Sequence, residues 1–200
     1  MQSIEQIIQE SLDTKQSLFS QIDTIQAITD RLITSFSQGN KLLICGNGGS
    51  AADAQHVAAE FVGRFFCERA ALPAIALNTN TSVLTALGND YEYDIVFARQ
   101  VEAFARSGDI FAGITTSGNS PNIIKAAIKA KERGCFTIGF TGKTGGKLKQ
   151  HVDICLCINS ISTPRIQEAH ILVWHIICEL AEAAVVQTAV NQPVLAAMQN

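Results

Sequence analysis

His56 and Glu60 stand four residues apart, and on a helix that spacing stacks an imidazole and a carboxylate on one face. Such a pair can act as acid and base near neutral pH, hold a metal ion between nitrogen and oxygen, or simply hydrogen-bond along the helix. A second set of polar side chains, Gln167, Glu168, His170 and His175, interrupts an otherwise apolar stretch towards the C-terminus. Each polar group buried there without a partner would cost about 1–3 kcal/mol, so each must find a partner or face a ligand. Gln167 and His175 are separated by about 12 Å of helix rise, too far to crowd one atom from a single chain easily. They are expected to serve sites in neighbouring subunits.

Two loops offer a different chemistry. Gly46-Asn47-Gly48-Gly49-Ser50 follows an apolar run, and Ser50 with Asp53 reads as a capping box at the start of the next helix, one turn before His56 and Glu60. The glycines let the backbone approach a ligand closely, and the unpaired amides of a helix N-terminus favour an anion. Thr115-Thr116-Ser117-Gly118-Asn119-Ser120 repeats the arrangement with hydroxyls, and Pro121 is expected at the first helical position. Its Ser and Thr side chains can donate to phosphate oxygens without any cation. Gly46 to Ala51 also fits the G-x-G-x-x-A dinucleotide pattern, but the next apolar run ends Leu77-Asn78-Thr79, where a dinucleotide fold places an acidic residue for the ribose. The hydroxyl loop suits one phosphomonoester better than a pyrophosphate, so a dinucleotide enzyme stands as the weaker alternative.

The elements that must position these groups are legible as short apolar runs at 42–45, 74–77, 110–115, 136–140 and 154–158, which read as strands. Helical patterns lie at 50–62, 93–105 and 121–133, the last closed by Gly134, and a final helix spans 163–186. Strand and helix in alternation predict a five-stranded parallel sheet in a three-layer α/β/α sandwich. In the strand order 2-1-3-4-5, the loops after the first and third strands flank one crevice. Before the first strand, residues 3–37 carry apolar positions at helical spacing, with a break expected near Asp13 and Gly39 as the closing residue. That helix has more apolar stripe than one domain's flank covers, which predicts oligomerisation.

Composition sets the limits. With 47% hydrophobic and 16% charged residues among 200, the chain can bury a real core. Its 15 Lys and Arg against 18 Asp and Glu leave a net charge of −3, so no overall positive field favours nucleic acid or anionic lipid, and phosphate binding must be local. Neither a membrane-span run nor a signal-peptide pattern is read in the sequence, and the cytoplasm is the expected location. Six cysteines without a C-x-x-C pair read as reduced packing residues.

With these residues in place, the chain resembles the sugar isomerase (SIS) domain family, in its phosphoheptose isomerase branch. The resemblance runs through GNGGSAADAQHVAAEFVGR (Gly46 to Arg64), LNTNTSVLTALGND (Leu77 to Asp90), TTSGNSPN (Thr115 to Asn122), FTGKTGG (Phe140 to Gly146) and RIQEAHILVWH (Arg165 to His175), and spans essentially the whole chain. It implies a flavodoxin-like SIS fold in one domain over 1–200, with 1–37 as an oligomerisation helix and 38–200 as the α/β core and C-terminal helix. It also implies a homotetramer with shared sites and the conversion of D-sedoheptulose 7-phosphate to D-glycero-D-manno-heptose 7-phosphate through an enediol, the entry to ADP-heptose for lipopolysaccharide core or related glycans. By motif, Asn47, Gly48, Gly49, Ser50, Glu60, Asn89, Asp90, Thr115, Thr116, Ser117, Ser120 and Gln167 resemble substrate-binding residues, and Glu60 and His175 an acid/base pair. His56, Glu60, Gln167 and His175 resemble a zinc site, one ion per subunit. At Thr163-Pro164 some isomerases carry an acidic residue before the Arg, so no catalytic acid is assigned there. A non-catalytic relative that binds the replication initiator is the alternative; such proteins depart at the positions of Glu60 and His175, both present here.

Overall fold

Residues Leu42–Gly46 (β1), Ala74–Ala76 (β2), Ile110–Ile114 (β3), Phe136–Thr141 (β4) and Ile154–Cys157 (β5) pair in parallel in the order β2-β1-β3-β4-β5. The register sets Leu42 against both Ala74 and Ile110, Ile110 against Phe136, and Ile138 against Ile154. This is the expected order, and it puts the loops after β1 and β3 side by side. The computed structural model describes the backbone of residues 2–196 and the side chains of residues 2–187.

Both faces of the sheet are covered, so β1 and β3 are buried at every position. Alternation along β1 sends Leu42 and Ile44 to one core and Leu43 and Cys45 to the other. The first core is closed by Ile22–Ser37 (α2, following α1 at Ile4–Gln16), Gly49–Val62 (α3) and Thr163–Ala196 (α7). The second is closed by Val96–Phe104 (α5) and Pro121–Glu132 (α6), with Leu84 and Leu87 of Thr81–Asp90 (α4) packed at its edge.

Four expectations are corrected. The N-terminal helix breaks at a 3-10 turn over Ser17–Gln21 rather than near Asp13, with α1 held at its start by a capping box between Ser3 and Gln6. Helix α4 was not legible because none of its residues is fully buried and only Leu84 and Leu87 pack against the core; Asn80 caps it by accepting from the Val83 amide at 3.0 Å. Helix α7 runs ten residues beyond 186, with neither Gly nor Pro between Arg165 and Gln192 to stop it and the helix continuing through Pro193 to Ala196. Over Thr163–Gln187 it is also long and apolar enough to cross a membrane. Ile166, Ala169, Val173, Trp174, Ile177 and Ala181 explain that hydropathy, because they form its buried stripe, with Trp174 stacked on Phe140 at 4.5 Å.

The apolar surface of the N-terminal helices is not consumed internally. Ile4, Ile8, Leu12 and Phe19 are exposed, and a groove of about 360 Å³ lined by Leu18, Phe19, Ile22, Ile25, Leu172 and Ile176 runs between them and α7.

Candidate active site

The glycine loop is built by steric necessity. A Cβ on Gly46 would lie 2.4 Å from the Ser50 carbonyl oxygen, and Gly48 holds φ at +57°. Helix α3 therefore opens at Gly49 with Gly48 as its N-cap, one residue earlier than expected. Ser50 falls inside the first turn and is buried, so the Ser50–Asp53 capping box does not form.

The hydroxyl loop faces it from β3. Thr115 Oγ1 lies 2.9 Å from Ser120 Oγ and 3.4 Å from Ser117 Oγ, gathering three hydroxyls, while Thr116 sits beside them half-buried. Ser120 stands at the N-cap position of α6 with its hydroxyl turned to Thr115, and Pro121 follows at the first helical position, as expected. The two loops are joined by a reciprocal amide pair: Asn47 Nδ2 donates to Asn122 Oδ1 and Asn122 Nδ2 to Asn47 Oδ1, both at 2.9 Å. Neither loop contains Lys or Arg, so an anion here would be held by hydroxyls, amides and helix N-termini.

A third segment buttresses the hydroxyl loop. The Gly142 amide donates to the Thr116 carbonyl at 3.0 Å, the Leu148 amide to the Gly118 carbonyl at 2.9 Å, and the Lys147 amide to Asn119 Oδ1 at 3.1 Å. Gly118 holds φ at +67°, and a Cβ there would lie 2.2 Å from the Gly145 carbonyl oxygen. Gly118→Ala is expected to cost at least about 1–3 kcal/mol from the backbone conformation alone. It should also raise KM for a phosphorylated substrate while leaving the far end of α3 untouched, as denaturant midpoint and steady-state kinetics would read.

Helices α3 and α7 run side by side in the same direction, and this sorts the polar residues into two levels. At the upper level Gln167 covers Gly49, where a Cβ would lie 2.6 Å from Gln167 Nε2. Lower down, His56 Nε2 lies 2.9 Å from His175 Nε2 and 3.3 Å from Glu60 Oε1. His56 and Glu60 thus stand two and three turns from the glycine loop rather than one, and the four residues expected at a metal are not gathered in one chain. Among the described residues no three His, Cys, Asp or Glu side chains close into a metal cage. His56 is instead a hub with a carboxylate on one side and an imidazole on the other, donors of the kind that zinc takes.

Glu168 and His170 of α7 have structural partners, while His170 Nδ1 and Trp174 Nε1 are buried without a hydrogen-bond partner among the described residues. Glu168 accepts from Ser11 Oγ at 2.6 Å and from Arg165 Nε at 3.0 Å, tying α1 to α7. Buried His170 lies with Nε2 3.1 Å from the Thr141 carbonyl oxygen, and burial pushes its pKa down to about 4, so it stays neutral. Asn89 and Asp90 end α4, exposed, with Asn89 Nδ2 donating to Asp90 Oδ1 at 2.9 Å. They sit about 12 Å of helix rise from the start of α4.

Sequence reasoning gave Asp53 only a capping role. Its Oδ2 is buried with no hydrogen-bond partner among the described residues, and burial pushes its carboxyl up while His56 draws it back. The available signal was its spacing, since 53, 56 and 60 share one helix face. Also unforeseen is a buried ion pair at the foot of the site, Arg69 Nε to Glu182 Oε1 at 3.0 Å. Glu182 also accepts from the amides of Phe65, Phe66 and Cys67, and Arg69 donates to the carbonyls of Phe61 and Glu60. The pair pins the loop after α3, and with it the backbone of Glu60, onto α7.

Comparison with known proteins places this geometry. The SIS domain pattern matches residues 7–142. A phosphoheptose isomerase of Roseiflexus sp. is 56% identical over 176 residues, 88% of this chain and 89% of that protein. One from Clostridium acetobutylicum is 53% identical over 182 residues, 90% and 93% of the two chains. The solved phosphoheptose isomerase of Neisseria gonorrhoeae superposes with a TM-score of 0.84 at 42% identity, covering 88% of this chain and 95% of that one.

Proposed function

The chain belongs to the SIS domain family and is a sugar-phosphate isomerase, and from that premise we propose that it converts D-sedoheptulose 7-phosphate to D-glycero-D-manno-heptose 7-phosphate, supplying ADP-heptose synthesis. Six unpaired cysteines suit the reducing cytoplasm as the place of this reaction. The observation that carries the reading is the pairing of a cation-free phosphate cradle with an imidazole–carboxylate cluster along the same helix.

In this mechanism Asn47, Gly48, Gly49, Ser50, Thr115, Thr116, Ser117 and Ser120 bind the phosphate end. Glu60 removes a proton from carbon 1 of the open ketose and returns it to carbon 2. His175 protonates the carbonyl oxygen at carbon 2 and takes the proton from the hydroxyl on carbon 1 as the aldehyde forms. Both transfers run through a neutral enediol, and no electrons leave the sugar. In the assembled tetramer His56, Glu60 and His175 of one copy, completed by Gln167 of another, would hold a zinc ion. Zinc would supply Lewis-acid polarisation of the substrate oxygens.

Distance argues that one site uses two copies of the chain. From Gly49 to Glu60 α3 rises about 16 Å, whereas the eight bonds from carbon 1 to phosphorus span about 9 Å at roughly 3.5 Å per three bonds. A cradle of one subunit facing Glu60 and His175 of another relieves this mismatch, and gives a role to exposed Asn89 and Asp90 and to the uncovered apolar face of α1 and α2. We therefore assign a homotetramer with shared sites. The test is complementation: Glu60→Gln and Gly118→Ala variants, each inactive or weak alone, are unfolded, mixed and reassembled. A shared site predicts that the mixture exceeds the sum of its parents, because some sites pair two intact halves; activity equal to the parental sum would refute sharing.

A further inference from the structure

Cys155 and Cys157 lie two residues apart on β5, so their side chains leave the same face of the sheet. Their sulfur atoms are 3.6 Å apart, with Thr141 Oγ1 at 3.5 Å from Cys155 Sγ and 3.4 Å from Cys157 Sγ. β5 is the edge strand of the sheet, and both cysteines are half-buried rather than sealed, within reach of a small thiol reagent. Cys45 and Cys178, by contrast, are buried core residues whose thiols burial pushes up.

Cys157 is also packed against the buttress of the hydroxyl loop. A Cβ on Gly145 would lie 3.2 Å from Cys157 Sγ and 2.7 Å from Lys149 Cδ, so sulfur, lysine stem and glycine backbone are in mutual contact. Gly145 in turn sits on Gly118, and Cys157 is in register with Thr141, whose neighbour Gly142 donates to the Thr116 carbonyl. A contiguous path thus joins the cysteine pair to the loop that gathers the three hydroxyls.

We propose that Cys155 and Cys157 form a reversible redox site, a dithiol that closes to a disulfide by exchange with a low-molecular-weight disulfide and thereby loosens the hydroxyl loop. The hydrogen bond with Cys155, helped by Thr141 and Lys149 against burial, draws the Cys157 thiol down to about 6, and the same contact pushes Cys155 up. Cys157 is therefore the attacking thiolate at neutral pH. It displaces one thiolate from the small disulfide to form a mixed disulfide. Cys155 then loses its proton, attacks Cys157 Sγ and displaces the second thiolate. Two protein thiols are oxidised and one small disulfide is reduced to two thiols.

Strand geometry makes the product labile. Residues two apart on a strand are separated by about 6.6 Å, against about 5.5–6 Å for a typical disulfide, so closure draws in the end of β5. Strained disulfides are readily reduced, which suits regulation rather than stapling. The contraction pulls Cys157 away from Gly145 and Thr141, and the buttress follows.

The coupling half of this proposal rests on reading the 115–120 loop as a phosphate cradle; the disulfide itself does not. The full-length protein is equilibrated in glutathione buffers of graded oxidation and alkylated, and its tryptic segment 150–165 is weighed. Expected is loss of two hydrogens from that segment, reversed by dithiothreitol, and a fall of about tenfold in affinity for inorganic phosphate, within the usual range of coupling between sites. Cys157→Ser and Cys155→Ser should each keep the reduced protein's affinity and lose the response. Mixed disulfides that never close, or crosslinks through exposed Cys67 alone, would overturn the redox site. Closure without any change in phosphate affinity would overturn the coupling. Absence of phosphate binding by the reduced protein would overturn the cradle and the coupling with it, while the mass measurement still decides the disulfide.

Discussion

Glu60→Gln should lower aldose formation from sedoheptulose 7-phosphate by about 10²–10⁴-fold, the usual contribution of a positioned acid or base, with little change in stability. Glu60 is partly exposed at the end of α3, and its carboxylate's contact with His56 Nε2 at 3.3 Å is a distance an amide can also occupy. The carboxylate's basicity is what the substitution removes. Because Gln cannot accept a proton from carbon, kcat should fall and KM should barely move, since the phosphate end is bound by the cradle of a neighbouring copy and not by Glu60. Chelation separates two roles of the same residue: if zinc assists the reaction, a chelator lowers the activity of the unmodified protein and added zinc restores it. If His56, Glu60 and His175 work as a plain acid–base cluster, chelation leaves the rate unchanged. A Glu60→Gln protein that keeps a near-native rate would refute the assignment of the base.

What the sequence revealed and what it hid follow from the reach of the forces involved. Strand order and both polar loops were legible because they are written locally: apolar runs buried on two faces, and glycines and hydroxyls placed where helices must begin. The separation of Gln167 from His175 was legible for the same reason, because helix rise is a property of the backbone alone. Helix α4 was hidden because its apolar stripe is short, with Leu84 and Leu87 only half-buried against the second core, so little period of burial marks it. The start of α3 was misplaced by one residue because Ser50 carries a capping side chain, yet Gly48 can adopt the positive φ that lets the helix begin sooner. Asp53 was consequently assigned to the cap and overlooked as a buried carboxylate on the face of His56 and Glu60. The Arg69–Glu182 pair joins residues more than a hundred positions apart, and no local pattern signals it.

That pair is where the largest effect on stability is expected. Arg69 and Glu182 have side chains only 3% and 2% exposed, and Glu182 is ringed by the amides of Phe65, Phe66 and Cys67 and by the guanidinium. Removing one member of a buried pair strands the other, at a cost of about 3–5 kcal/mol. In a chain of this size that corresponds to roughly 6–20 °C in Tm. Glu182→Gln is therefore expected to melt lower by that margin, because its amide nitrogen faces donors that want an acceptor. Arg69→Met with Glu182→Leu should not recover the loss, because removing both charges still leaves the amides of Phe65, Phe66 and Cys67 without an acceptor. The acid limb of the stability curve gives a second reading of the same contact. Burial alone would raise the Glu182 carboxyl, but the three amides and Arg69 outweigh it and hold it below its ordinary 4.5. A depressed folded-state pKa means the stabilisation is complete above that ordinary value and drains away as pH falls through the lower folded value. Unmodified protein should lose stability steeply below about pH 4.5, and Glu182→Gln should show a shallower acid limb from a lower plateau. Equal slopes in the two proteins would mean that Glu182 is not the carboxylate whose protonation opens the foot of α3.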